Sequence, residues 1–354
     1  MNTDETGLLH AIYDEPFDVV PRRVYADWLE EHGATGLAAL QRMWMPDGSH
    51  RELPEWQRLC EQVHAAVDVD CPPCASGGLY IHPNLHATLY GDWPLDSVAA
   101  LDDLHRWMNR HRIQALICPQ HQQNFSILFS HGLAQDLRQW YPQQVCLSSL
   151  VTHRSRECHF EGLIELWLEW NRLPISHLVE LVELGDFPQL RGLFLPSSRA
   201  SPHEMHRLFR NATIQRLTFL GWNIRRSVDW DFSDLLNLGP LPRVRTLHIH
   251  DRGQTGKGIN ACEITEQLVP NIRSLLLLGP SFQTMEQLAK SLIVGQLQEL
   301  TIESLLELDE FYLRIAERLG PHCRLNLPFG RVSPATRHRL SAMLGPRFRH
   351  ETYP

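Results

Sequence analysis

Leucine and its apolar substitutes recur at fixed offsets through the second half of the chain, at a spacing that neither a lone helix nor a lone strand produces. The clearest copy runs Leu163-Ile-Glu-Leu166-Trp-Leu168-Glu-Trp-Asn171-Arg-Leu173, apolar at positions one, four, six and eleven with asparagine at nine. Further copies start at Leu190, Ile214, Val244, Ile272 and Leu297, each apolar again three and five positions on. A last one starts at His322 and keeps Leu325 and Leu327. The starts are 27, 24, 30, 28, 25 and 25 residues apart. Within each copy a short alternating stretch predicts a strand.

A helical stretch follows several of these strands. Ser201-Pro-His-Glu204 is a capping box leading Met205, Leu208 and Phe209 inward. Met285, Leu288, Ala289 and Leu292 make a second apolar stripe, and Phe311, Ile315 and Leu319 a third. This is the pattern of leucine-rich repeats. The expected fold class is therefore α/β: a solenoid with parallel strands on its concave face and helices outside. The repeats span residues 160–330. Before them come a small helical region (1–45) and a Cys/His-rich α+β segment (50–155), and a basic cap or tail (331–354) follows.

If positions one, four and six point inward, positions three, five and seven line the concave face. Position five then reads Trp167, Phe194, Thr218, His248, Leu276, Thr301, Asn326. Position seven reads Glu169, Pro196, Leu220, His250, Leu278, Glu303, Pro328. Large apolar groups on a surface row mark an interaction site. The expected partner-binding set is Trp167, Glu169, Trp170, Phe194, Leu220, His248, His250, Leu276 and Leu278. The competing expectation is that the middle segment or the tail folds back over this face. His248 and His250 share one side of a strand, but their rung supplies no third metal ligand, so they read as a polar patch.

In the first 45 residues Leu8, Leu9 and Ile12 share a helical face, Pro16 breaks that helix, and Tyr25, Trp28 and Leu29 recur at helical spacing before Gly33. This predicts a helix hairpin. The run Pro21-Arg22-Arg-Val24-Tyr25-Ala26-Asp27-Trp28-Leu29-Glu30-Glu31-His-Gly33 resembles the core of the bacterial repeat-companion domain. That family is often found ahead of leucine-rich or similar repeats and has no established activity. The likeness covers about the first 42 residues. Its usual charged third helix is replaced here by Gly36-Leu-Ala-Ala-Leu40-Gln41-Arg, which keeps Leu37 and Leu40 as an apolar face. Asp27, Glu30 and Glu31 read as a solvated helix face.

The middle segment carries Cys71-Pro-Pro-Cys74-Ala-Ser-Gly77-Gly78 and then Cys118-Pro-Gln-His121, with 43 residues between Cys74 and Cys118. Paired cysteines at i and i+3 followed by glycines suit a metal knuckle. Cys71, Cys74, Cys118 and His121 together form a tetrahedral donor set for structural zinc, with His82 or His86 able to replace His121. A redox pair and ordinary unmetallated thiols are the competing readings, and Gly77-Gly78 discourages the helix that a redox pair needs. Residues 95–112 predict a helix with Val98, Leu101, Leu104 and Met108 on one side. Cys60, Cys146, Cys158, Cys262 and Cys323 read as small buried groups.

Composition narrows the function classes. The chain has 354 residues, 43% hydrophobic and 21% charged, as in a folded protein. A net charge of −8 argues against nucleic acid as partner. Only Lys257 and Lys290 are lysines, so the positive charge is nearly all arginine. No apolar run reaches the ~18 residues that span a bilayer, and the acidic N-terminus lacks the features of a signal peptide. A cytoplasmic location and no membrane partner are expected. No phosphate-loop, dinucleotide, nucleophile-elbow or H-E-x-x-H motif occurs. Residues 251–258 mimic a phosphate loop with the wrong spacing. The first expectation is a non-enzymatic protein that binds a protein partner through the repeats. The alternative is a metal-dependent hydrolase whose Cys/His segment holds catalytic zinc beside His82 or His86, with the repeats recruiting substrate.

Overall fold

A computed structural model of the chain describes residues 3–46, 50, 53–68, 79–81, 87–90, 98–110, 115–118, 139–142, 162–168, 174–183, 187–195, 201–223, 239–250, 267–304, 306–328 and 331–350. The class is α/β with parallel strand pairing. The chain divides into two units, Met1–Leu173 with Glu180–Gly192, and Pro174–Val179 with Leu193–Pro354. This division does not coincide with boundaries near residues 45, 155 and 330.

The first unit opens with helices α1 (Thr3–Asp14), α2 (Val19–Glu31), α3 (Thr35–Met43) and α4 (Pro54–Asp68). Asp18 starts α2: its side chain accepts from the Val20 amide, satisfying an orphan N–H of the first turn. Leu9, Ile12, Tyr25, Trp28, Leu29, Leu37, Leu40 and Trp56 bury themselves in one core, which Ile164 joins. The hairpin read from Tyr25, Trp28 and Leu29 is present, and α3 completes it. Arg42 of α3 pairs with Asp27 and Glu30 of α2 at the surface. Those acids are thus solvated but not free.

The same unit holds β1 (Leu79–Ile81), β2 (Ala87–Tyr90), α5 (Val98–Arg110), β3 (Ala115–Cys118), β4 (Gln139–Pro142) and β5 (Glu165–Trp167). β1 pairs antiparallel with β2. From β2 to β5 the pairing is parallel, aligning Leu89 with Leu116, Leu116 with Trp140, and Trp140 with Leu166. Parallel pairing therefore begins before Leu163, within the Cys/His-rich segment. Helix α5 buries Leu101, Leu104, Trp107 and Met108, whereas Val98, expected on that face, is exposed.

The second unit holds the strands β6 (Gly192–Phe194), β7 (Phe219–Asn223), β8 (Thr246–His250), β9 (Ser274–Leu278), β10 (Glu299–Glu303), β11 (Arg324–Asn326) and β12 (Phe348–Arg349). They neighbour one another in chain order. Register aligns Leu220, Leu247, Leu275, Leu300 and Leu325, all buried. Burying one row per strand across stacked repeats is what makes leucine recur, at roughly 25 cal/mol per Å² of apolar surface removed from water.

Among the described helices of this unit are α7 (Pro202–Arg210), α8 (Phe282–Lys290), α9 (Asp309–Ala316) and α10 (Pro334–Leu344). A further helix, α6 (Ile175–Glu183), is divided between the units. The Ser201/Glu204 capping box forms in full. Helix α8 buries Met285, Leu288 and Ala289 but ends at Lys290, so Leu292 is 83% exposed rather than part of the stripe. Tyr312, not Phe311, is the aromatic that α9 buries. Residues 331–350 of the basic tail form α10 and then β12, which pairs with β11 as one more strand.

Arginine also has a structural use at the turns. Arg245 donates to the Asn271 carbonyl (3.4 Å), Arg273 to Gln296 (3.3 Å), Arg318 to Ala289 (2.7 Å) and Arg347 to Gly320 (2.9 Å). Each bond ties a side chain of one repeat to a carbonyl of a neighbouring one, satisfying backbone groups that no strand partner reaches.

Candidate interaction face

Side chains alternate along each strand of the second unit, so one row is core and the other faces out. From β7 to β11 the outward row contains Phe219 and Gly221, then Thr246, His248 and His250, then Ser274, Leu276 and Leu278, then Glu299, Thr301 and Glu303, and last Arg324 and Asn326. His248, Leu276 and Leu278 fall where the repeat pattern puts them and are half-buried.

Two expected contact residues are not surface groups. Leu220 is fully buried. Its rung starts at Leu217, not Ile214, because Ile214–Arg216 is a turn of 3-10 helix. The apolar triplets Ile214-Leu217-Phe219 and Leu217-Leu220-Trp222 both fit the pattern. The second prevails because it buries Trp222 and aligns Leu220 with Leu247. Starts at Leu190, Leu217 and Val244 are then evenly 27 residues apart. Thr218 and Leu220 leave the outward row, and Phe219 and Gly221 enter it.

Phe194 is also fully buried, though its expected row is the outward one. Its ring lies over Gly221, where a Cβ would come within 2.5 Å of two ring carbons and closer to a third. His250 meets the same ring edge-on, 4.9 Å between centroids, and is itself only 6% exposed. His248 stands edge-on to Phe219 at 4.7 Å. Aromatic and imidazole groups thus pack against one another along this row, while Leu276 and Leu278 are half-buried.

The far end of the row is polar and linked by hydrogen bonds, although the buried Asn326 Oδ1 has no partner among the described residues. The Ser274 hydroxyl donates to Glu299 (3.2 Å), and Asn326 donates to Glu299 (3.0 Å) and to Thr301 (3.2 Å). Arg324 lies 3.9 Å from the same carboxylate. Glu299 is thereby held in place as an acceptor. Alternation along paired strands reveals this cluster, which leucine spacing alone leaves unmarked.

In the first unit Trp167 is half-buried, and its indole N–H donates to the buried Glu165 (3.1 Å). Glu169 and Trp170 lie outside the described residues, as do Cys71, Cys74, His82, His86 and His121. Cys118 is the last residue of β3, in register with Pro142. It holds the sixth rung position, which Trp222, Ile249, Leu277 and Ile302 fill in the second unit. Among the described residues no group of three or more His, Cys, Asp or Glu could hold a metal ion. Cys323 is buried, and that burial pushes its thiol up to about 12; Cys60 is half-buried. Among the described residues no helix is long and apolar enough to cross a membrane.

No family model matches the chain, and neither does any curated protein. Among solved structures it is similar to a Bacteroides fragilis protein determined by a structural genomics consortium. The identity is 14%, the match covers 72% of this chain and 82% of that one, and the TM-score is 0.47.

Proposed function

We propose that the chain is a non-enzymatic interaction protein, a leucine-rich-repeat solenoid that grips a protein partner through the strand face of its repeats. Helices α1–α3 are then a repeat-companion-type unit ahead of those repeats. The observation that carries the reading is the pair Leu276 and Leu278: two adjacent outward positions of one strand, apolar and half-exposed beside His248. Leucines offer nothing to acid–base or nucleophilic chemistry, but they supply the apolar centre that a binding patch needs. The neighbouring Glu299 cluster supplies a polar rim.

The test is crosslinked capture from the native host lysate, wild type against Leu276→Ser/Leu278→Ser. A protein held by wild type and lost from a double variant with unchanged circular dichroism supports the reading. Equal recovery by both refutes it. Phe194 does not belong in such a test, because truncating a fully buried ring disturbs the fold. We also propose structural zinc at Cys71, Cys74, Cys118 and His121. It would act as scaffold, since four protein ligands leave no position for water.

A further inference from the structure

Arg22 of α2 is the most anomalous side chain in the first unit. It is 2% exposed, yet no carboxylate among the described residues pairs with it. Its one hydrogen bond is long, from Nη1 to the Gln41 side-chain oxygen at 3.4 Å. Its Nε has no acceptor, and neither has the buried Nε2 of Gln41. Trp44 covers the guanidinium, with the ring centroid 4.0 Å from Cζ.

Burial lowers the guanidinium to about 10 against a smaller opposing pull from Tyr13, which leaves it charged at neutral pH. Arginine cannot escape burial by giving up its proton, as a lysine can. An interior cation is costly unless something compensates it. A tryptophan face offsets part of that cost. Both unmet groups are donors, and the unmet charge is positive, so the deficit has one sign. What is missing is an acceptor with negative charge. A water molecule would satisfy the donors and leave the charge.

We propose that Arg22 and Gln41 form a binding site for a small oxyanion, with Trp44 as the side chain that turns aside to admit it. The planar fork of the guanidinium suits two oxygens of a carboxylate or phosphate, and the Gln41 amide adds a neighbouring donor. Trp44 is half-buried at the end of α3, where its ring covers the guanidinium.

The experiment uses the full chain and the probes inorganic phosphate and acetate, with sodium chloride at matched ionic strength as reference. The readouts are melting temperature and tryptophan fluorescence. A ligand that binds only the folded state raises its melting temperature. Millimolar phosphate, acetate or both should raise the wild-type value by several degrees over chloride and change the emission. Phosphate alone assigns a tetrahedral oxyanion, and acetate alone a carboxylate. Arg22→Met should melt at the same temperature in all three salts. Should that variant fail to fold, Gln41→Leu keeps the guanidinium and should at least halve the shift. Identical wild-type melting in the three salts overturns the proposal and leaves Arg22 to the contacts it already has with Gln41, Tyr13 and Trp44. A phosphate shift that survives unchanged in Arg22→Met, or in Gln41→Leu, overturns it too.

Discussion

Gly221→Ala tests the register of the second unit more sharply than any larger change. The added methyl would fall within 2.5 Å of the Phe194 Cγ and Cε2 atoms and closer to Cδ2. Ordinary contact between carbons is about 3.5–4.0 Å, so the ring must move by about an ångström or more. It has no free direction, being fully buried with His250 edge-on to it. Overpacking of this kind costs about 1–3 kcal/mol, and loss of the ring–imidazole contact adds about 0.5–1.5 kcal/mol. The lower entropy of alanine in the unfolded chain returns about 0.4–1 kcal/mol. The net expectation is a loss of about 2 kcal/mol, read by urea unfolding followed by circular dichroism. Phe194→Leu removes the obstructing atoms, so the two changes should couple by about 1 kcal/mol or more in a double-mutant cycle. A Gly221→Ala protein as stable as wild type, or strict additivity with Phe194→Leu, would refute the packing of this row.

Leu220→Ala should cost about 2–5 kcal/mol as a core truncation, and Leu276→Ala about 1 kcal/mol or less; equal costs in denaturant unfolding would return Leu220 to the surface. Burial pushes Cys323 and Tyr312 each up to about 12, with Asp309 adding to the rise at Tyr312. The unfolded chain releases these protons first, so their contribution to stability is full below about pH 8.5 and falls as pH rises toward 12. A Cys323→Ala/Tyr312→Phe variant should therefore lose less melting temperature than wild type between those limits, and an equally steep fall would count against the assignment. Purified protein should carry about one zinc per chain and melt lower after chelation; a metal-free preparation with unchanged melting would remove the zinc proposal.

Leucine spacing made the strand-and-helix alternation legible, because a repeating apolar row is both cause and trace of stacked parallel strands. It placed Leu166, Leu247, Leu275, Leu300 and Leu325 correctly. It slipped at Ile214, where two triplets satisfy one pattern and the 3-10 turn at Ile214–Arg216 and the pairing of Leu220 with Leu247 separate them. It also could not follow the ladder into β2–β4, where Trp140 stands in the leucine position and the intervening Cys, His and Pro residues mask the period. The outward row was half legible. Leu276, Leu278 and His248 were placed by alternation, but Phe194 showed its size without showing that Gly221 makes room for it. The buried Arg22 was invisible as a site because arginine in a helix reads as a surface residue.

Photocrosslinking tests the central claim most directly. Replacing Leu276 by benzoylphenylalanine puts a reactive group in the outward row, and the same replacement at the exposed Phe282 puts one on helix α8. The interaction reading predicts a specific adduct from position 276 in host lysate and none from 282. Adducts from 282 alone, or from both alike, would contradict the assignment of the strand face as the binding surface.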